Sequence, residues 1–152
     1  MTDTLPFRIL MLLPDEDSSI SSPDKAVTFA RSYYLFRDAG LEVALASRLG
    51  GFSAISADMR RIADNPAVAR MLADTFARDE LSEAIPLARV FVDDFQALVL
   101  FVENSDLVLD EIAQVISEFK AAGKIVVAAT AENDLENADW ARDIFGGARR
   151  QT

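Results

Sequence analysis

The chain has 152 residues, 51% of them hydrophobic, and its 25 acidic against 15 basic side chains give a formal net charge of −10. That length and composition suit a single α/β domain over residues 1–152 rather than a disordered segment. The acidic balance argues against nucleic acid and against anionic membrane surfaces. No apolar run approaches the ~18 residues of a membrane-spanning helix. The chain contains neither cysteine nor histidine, so thiolate nucleophiles, disulfides and Cys or His metal ligands are excluded. The opening MTDTLPFRIL lacks the basic n-region and apolar stretch of a secretory leader, which makes the cytoplasm the expected location.

The elements alternate along the chain. FRILMLL (residues 7–13) is a short apolar run closed by Pro14, the pattern of a strand buried on both faces. Residues 15–22 are acidic and Ser-rich, a loop. Ser22 is placed as N-cap, with Pro23 at the first helical position. Val27, Ala30 and Tyr34, with Phe29, Tyr33 and Phe36, give that helix its apolar side, and Gly40 ends it. A second strand is expected over residues 42–46. Asn65-Pro66 opens a helix carrying Val68, Met71, Leu72 and Phe76. Residues 97–102 read as a third strand and 108–122 as a helix whose stripe is Val108, Ile112, Val115, Ile116 and Phe119. A fourth strand covers 125–129. Asn133 or Asp134 is placed to cap a last helix reaching about Phe145, with Gly146-Gly147 ending it and residues 146–152 left as a frayed tail. Strands separated by helices predict a mostly parallel sheet of four or five strands with helices on both faces, a three-layer α/β/α architecture.

Several local features carry no chemistry. Ser18, Ser19, Ser21 and Ser22 lack the glycines of a phosphate loop, and Gly50-Gly51 is a lone pair in a turn. Arg60-Arg61 lies on a polar helix face, and Trp140 reads as core.

Residues 33–51 carry a resemblance. A helix ending in Asp-Ala-Gly leads into EVALAS and then a Gly-containing turn, and this stretch resembles the ThiJ/PfpI family of the class I glutamine amidotransferase-like superfamily. The spacing to DFQALVLFVENSD (94–106) and GKIVVAATAEND (123–134) also fits, so the resemblance covers about residues 7 to 134. It implies a flavodoxin-like domain that self-associates as a homodimer. Three departures fall where that family makes its chemistry. Its nucleophile elbow, a Cys usually followed by His, falls on Thr130 and Ala131. Its Gly-Gly turn, a source of oxyanion-stabilising amides, falls on Val102 and Glu103. The acid of its first helix falls near Val27-Thr28. The chain also stops soon after the elbow, so the family's later elements are expected to be missing or reduced.

A Thr130 hydroxyl needs a base within hydrogen-bond reach, and no histidine exists to serve; capping or packing at a strand end is the expected role. Glu132, Asp134 and Glu136 complement a helix dipole and disfavour anionic ligands at that turn.

The strand carboxyl edge offers a candidate pocket at Asp15, Glu16, Val102, Glu103, Asn104, Thr130 and Glu132. Asp15, Glu16, Glu103 and Asp106 are weak candidates for a divalent cation, against a plainer reading as solvated acidic loops. Such clusters also occur in receiver domains, but here the third strand ends in VLFVEN rather than in an acceptor Asp, and the interval before it is long. The leading expectation is a catalytically degenerate domain, a pseudoenzyme that binds a protein or an unknown small molecule without a cofactor. The alternatives are a hydrolase or lyase of altered mechanism using carboxylates or a metal, and a receiver-like phospho-switch.

Overall fold

The computed structural model describes residues 7–15, 23–51, 53–102, 107, 109–130 and 134–150. Strand β1 (Arg8–Leu13) is the hub of the sheet. Its isoleucine, methionine and leucines are all at most 1% exposed, because β1 has a parallel neighbour on each side and a layer of side chains on each face. Ile9, Met11 and Leu13 point into one core, Leu10 and Leu12 into the other, as the two-residue period of a strand requires. The other strands are β2 (Glu42–Ser47), β3 (Ile85–Pro86), β4 (Ala97–Leu100) and β5 (Ile125–Ala128), ordered β3-β2-β1-β4-β5 and all parallel. The expected α/β class, with a five-stranded parallel sheet, is what forms.

Six α-helices accompany the strands among the described residues: α1 (Pro23–Asp38), α2 (Ala54–Arg61), α3 (Pro66–Ala73), α4 (Thr75–Ser82), α5 (Asp110–Ala121) and α6 (Asp139–Arg150). The larger core packs α1, α2, α3, α4 and α6 on one face of the sheet. Helix α5 and the 3-10 turns at Leu87–Arg89 and Val92–Asp94 cover the other.

Helix α1 buries Ala26, Phe29, Ala30, Tyr33 and Tyr34 at helical spacing. It ends in a Schellman turn, Gly40 N donating to Arg37 O and Leu41 N to Phe36 O, both at 3.0 Å. Phe29 meets Phe101 edge-on at 5.5 Å between ring centres. Trp140 of α6 meets Phe36 at 6.2 Å and Phe101 at 6.5 Å. Each such pair adds about 0.5–1.5 kcal/mol beyond its area burial, so these rings fix α6 against α1 and the end of β4.

Three expectations are corrected. The helix opened by Asn65 does not reach Phe76. Asn65 Oδ1 accepts from Ala67 N and Val68 N, and α3 then stops at Asp74, whose own Oδ1 accepts from Ala77 N at 3.2 Å. Asp74 therefore closes α3 and caps α4, and Phe76 rides on α4, 57% exposed, beneath the Arg37 guanidinium at 4.8 Å. The last helix begins at Asp139, after a 3-10 turn at Leu135–Asn137, so Asp134 does not cap it. Gly146-Gly147 does not end it either, nor are residues 146–150 frayed: α6 continues to Arg150 with Gly147 buried. A Cβ at Gly147 would overlap Ile125 Cδ1 and lie 3.4 Å from Phe7 Cζ. The glycine is there for close approach of α6 to the sheet, not for a turn.

Candidate functional site

In a parallel sheet the carboxyl ends of the strands share one edge, and ligands of such folds enter where the chain reverses its direction of travel across the sheet. Here that point lies between β1 and β4, central neighbours whose connections run to opposite sides. Asp15 follows β1, Arg48 follows β2, Val102 follows β4 and Thr130 follows β5. The backbone holds these ends in register: Phe101 N donates to Leu12 O at 2.9 Å and Ala129 N to Leu100 O at 3.0 Å. Asp15 also forms an antiparallel bridge with Ser53, and Ala54 N donates to Asp15 O at 3.2 Å, which pins the entry of α2 to this edge.

The edge carries a charge pair. Arg48 Nε donates to Asp15 Oδ2 at 2.8 Å, with side chains only 23% and 16% exposed. Arg48 Nη1 also lies 3.8 Å from Glu111 Oε1 in the first turn of α5. A guanidinium bonded to one carboxylate and near a second supplies the positive charge that balances Asp15 at this edge. The turn that brings Arg48 here needs Gly50 at φ +82°, where a Cβ would stand 3.1 Å from Pro86 and 3.2 Å from Ala84 O. Val102 is half-buried. The Thr130 side chain is exposed, while its backbone carbonyl accepts from Trp140 Nε1 at 3.3 Å. Helix α6 thus anchors the chain at Thr130, just past β5.

Of the residues expected at this edge, the structure brings Asp15, Val102 and Thr130 to it. Glu16, Glu103, Asn104, Asp106, Ala131 and Glu132 lie outside the described residues. Among the described residues no three carboxylates are grouped as metal ligands. Sequence reasoning missed Arg48; the available signal was a lone cation just after a strand, on the same edge as an acidic run.

A second polar network joins α1 to α3 and α4. Tyr33 Oη donates to Glu80 Oε1 at 2.5 Å, and Arg37 Nη1 donates to Tyr33 Oη at 2.8 Å. Beside it, Tyr34 Oη donates to Asp74 Oδ2 at 2.8 Å, and Arg70 lies 3.8 Å over the Tyr34 ring while forking onto Asp38. Burial raises the pKa of Tyr33 and of Tyr34, with the adjoining carboxylates adding to the effect. Burial likewise raises Glu80. Asp74 is lowered by the hydrogen bond from Tyr34, and Asp38 by its bonds from Arg70.

The fold has known counterparts. The Rapid Encystment Protein 24 kDa (REP24) of Francisella tularensis is similar at a TM-score of 0.67 and 15% identity, over 92% of this chain and 74% of that one. Glyoxalase III of Candida albicans is similar at a TM-score of 0.60 and 17% identity, over 80% of this chain and 56% of that one. This chain therefore spans little more than half the length of the glyoxalase. At these identities the likeness is one of fold, a flavodoxin-like α/β architecture with a parallel sheet between two helical layers. No family of known proteins matches the sequence, and no curated protein does.

Proposed function

We propose that this chain is a ThiJ/PfpI-like domain that has lost the covalent chemistry of the family and works as a binding or protein-interaction module. The observation that carries this reading is the Asp15–Arg48 pair at 2.8 Å across the carboxyl edge. That ion pair ties the end of β1 to the turn after β2 at the carboxyl edge, in a chain with no Cys and no His to act as nucleophile or base. The fold shared with REP24 and glyoxalase III supports the assignment to the superfamily. On this reading the module acts as a homodimer in the cytoplasm and works without a cofactor.

The test joins two measurements on the purified protein. Glyoxal and methylglyoxal turnover, with a panel of ester and amide hydrolyses, is expected to be absent. Light scattering after gel filtration is expected to give twice the chain mass. Turnover abolished by Thr130→Ala, with the fold intact by circular dichroism, would overturn the loss of catalysis. A monomer at high micromolar concentration would overturn the dimer.

A further inference from the structure

A cavity of about 410 Å³ opens between α2 and α4, on the helical layer rather than at the crevice beside β1 and β4. That volume lies in the range of small-molecule sites. Its floor is apolar: Met59 from α2, Leu72 from α3 and Leu81 from α4, with Met59 fully buried and Leu81 5% exposed. Its polar groups come from two helices. Arg60 of α2 and Arg78 of α4 both line it, and among the described residues neither makes an ion pair. In a chain of net charge −10, two arginines without ion-pair partners on one cavity outnumber its single carboxylate and leave a guanidinium free for a guest's anion. Guanidinium groups hold carboxylates through paired, planar hydrogen bonds, so the preferred guest carries a carboxylate.

Asp79 lines the same cavity and also has no ion-pair partner among the described residues. A simple anion would be repelled by it. A ligand with a hydrogen-bond donor next to its carboxylate would satisfy the arginines and Asp79 together. Ser56 borders the cavity, and its buried hydroxyl has no hydrogen-bond partner. Turning it toward a bound acceptor therefore breaks no existing bond.

From this arrangement we infer that the cavity binds a small α-amino or α-hydroxy acid with an apolar side chain. Its carboxylate goes to Arg60 and Arg78, its neighbouring donor to Asp79, and its hydrocarbon part to Met59, Leu72 and Leu81. This site is separate from the carboxyl-edge reading and stands or falls without it.

Four probes of nearly one shape test the inference by calorimetry on the intact chain: L-leucine, L-2-hydroxy-4-methylpentanoate, 4-methylpentanoate and L-leucinamide. One or both of the first two should bind. Which of them does so distinguishes an amino acid from a hydroxy acid. Loss of the donor in 4-methylpentanoate should weaken binding by about tenfold, and loss of the carboxylate in leucinamide by more. Arg60→Gln and Arg78→Gln, at exposed positions that do not endanger the fold, should each cost about tenfold or more, and Asp79→Asn should abolish the preference for a donor-bearing acid. Absence of binding by all four probes up to about 10 mM, or affinity unchanged in the double variant Arg60→Gln/Arg78→Gln, would overturn the site. Equal binding of 4-methylpentanoate would overturn the role of Asp79.

Discussion

The contact between α6 and the sheet yields a matched pair of substitutions with opposite expected signs. Gly146 and Gly147 are adjacent in one helix, so replacing either by alanine brings the same gain in helix propensity, about 1 kcal/mol. Their surroundings differ. A Cβ at Gly146 meets only Arg150 Nη1, at 3.6 Å, which is ordinary contact with a movable side chain. A Cβ at Gly147 overlaps Ile125 Cδ1 and touches the Phe7 ring, whose nearest atom lies 3.4 Å away. Overpacking of that kind costs about 1–3 kcal/mol. Gly146→Ala should therefore raise stability by about 1 kcal/mol, and Gly147→Ala should be neutral to about 2 kcal/mol destabilising. At roughly 2–4 °C per kcal/mol for a chain of this size, the two melting midpoints should differ by about 2–12 °C. Adding Ile125→Val removes the clashing methyl, so it should destabilise the Gly147→Ala background less than the parent, by a coupling of about 0.5–3 kcal/mol. Calorimetric melting of the four proteins decides the matter. Equal midpoints for the two single variants would refute the close-approach argument.

Three further outcomes follow from the electrostatics and the rings. Glu80 keeps its proton to a higher pH in the folded chain than in the unfolded one, so wild-type stability falls as pH rises from the ordinary glutamate range through that raised value. Glu80→Gln has no such loss and still accepts from Tyr33. Its stability relative to wild type should grow between about pH 4 and pH 8, and a constant difference in denaturant midpoints would contradict the assignment. Trp140→Phe keeps an aromatic ring against Phe36 and Phe101 but loses the bond to Thr130 O; urea unfolding should show a loss of about 0.5–1.5 kcal/mol, against about 3–5 for Trp140→Ala. A double-mutant cycle of Asp15→Asn and Arg48→Met should return a coupling of about 1–3 kcal/mol, since the pair is mostly shielded from water, whereas an exposed pair would give less than about 1.

The parts of the fold legible in the sequence are those where a local pattern and the tertiary environment agree. FRILMLL is apolar at every position because β1 is covered on both faces, and the Ile112, Val115 and Phe119 stripe marks the side of α5 that meets the sheet. Where one residue serves two neighbours, the pattern misleads. Asp74 looks like an ordinary helix position until its side chain is seen capping α4. Gly146-Gly147 carries a helix stop signal, yet at Gly147 the missing Cβ is used for packing. Strand β3 is two residues with a proline, too short for any periodicity. At the candidate site, the carboxyl-edge placement of Asp15, Val102 and Thr130 followed from alternating strands and helices. The Asp15–Arg48 pair did not, because it joins residues 33 positions apart whose adjacency exists only once β1 and β2 lie side by side.

The sheet's two margins differ in what they can recruit. At one margin stands β3, with Pro86 in its second and last position. A proline has no amide hydrogen to offer an incoming strand, and so short a segment gives little length to pair. The other margin, β5, has four residues and no proline. Pairing of this sheet with another is therefore open at β5 and blocked at β3. Two copies joined through their sheets would have to meet β5 to β5, a contact that closes on itself and leaves no margin from which a fibre could continue.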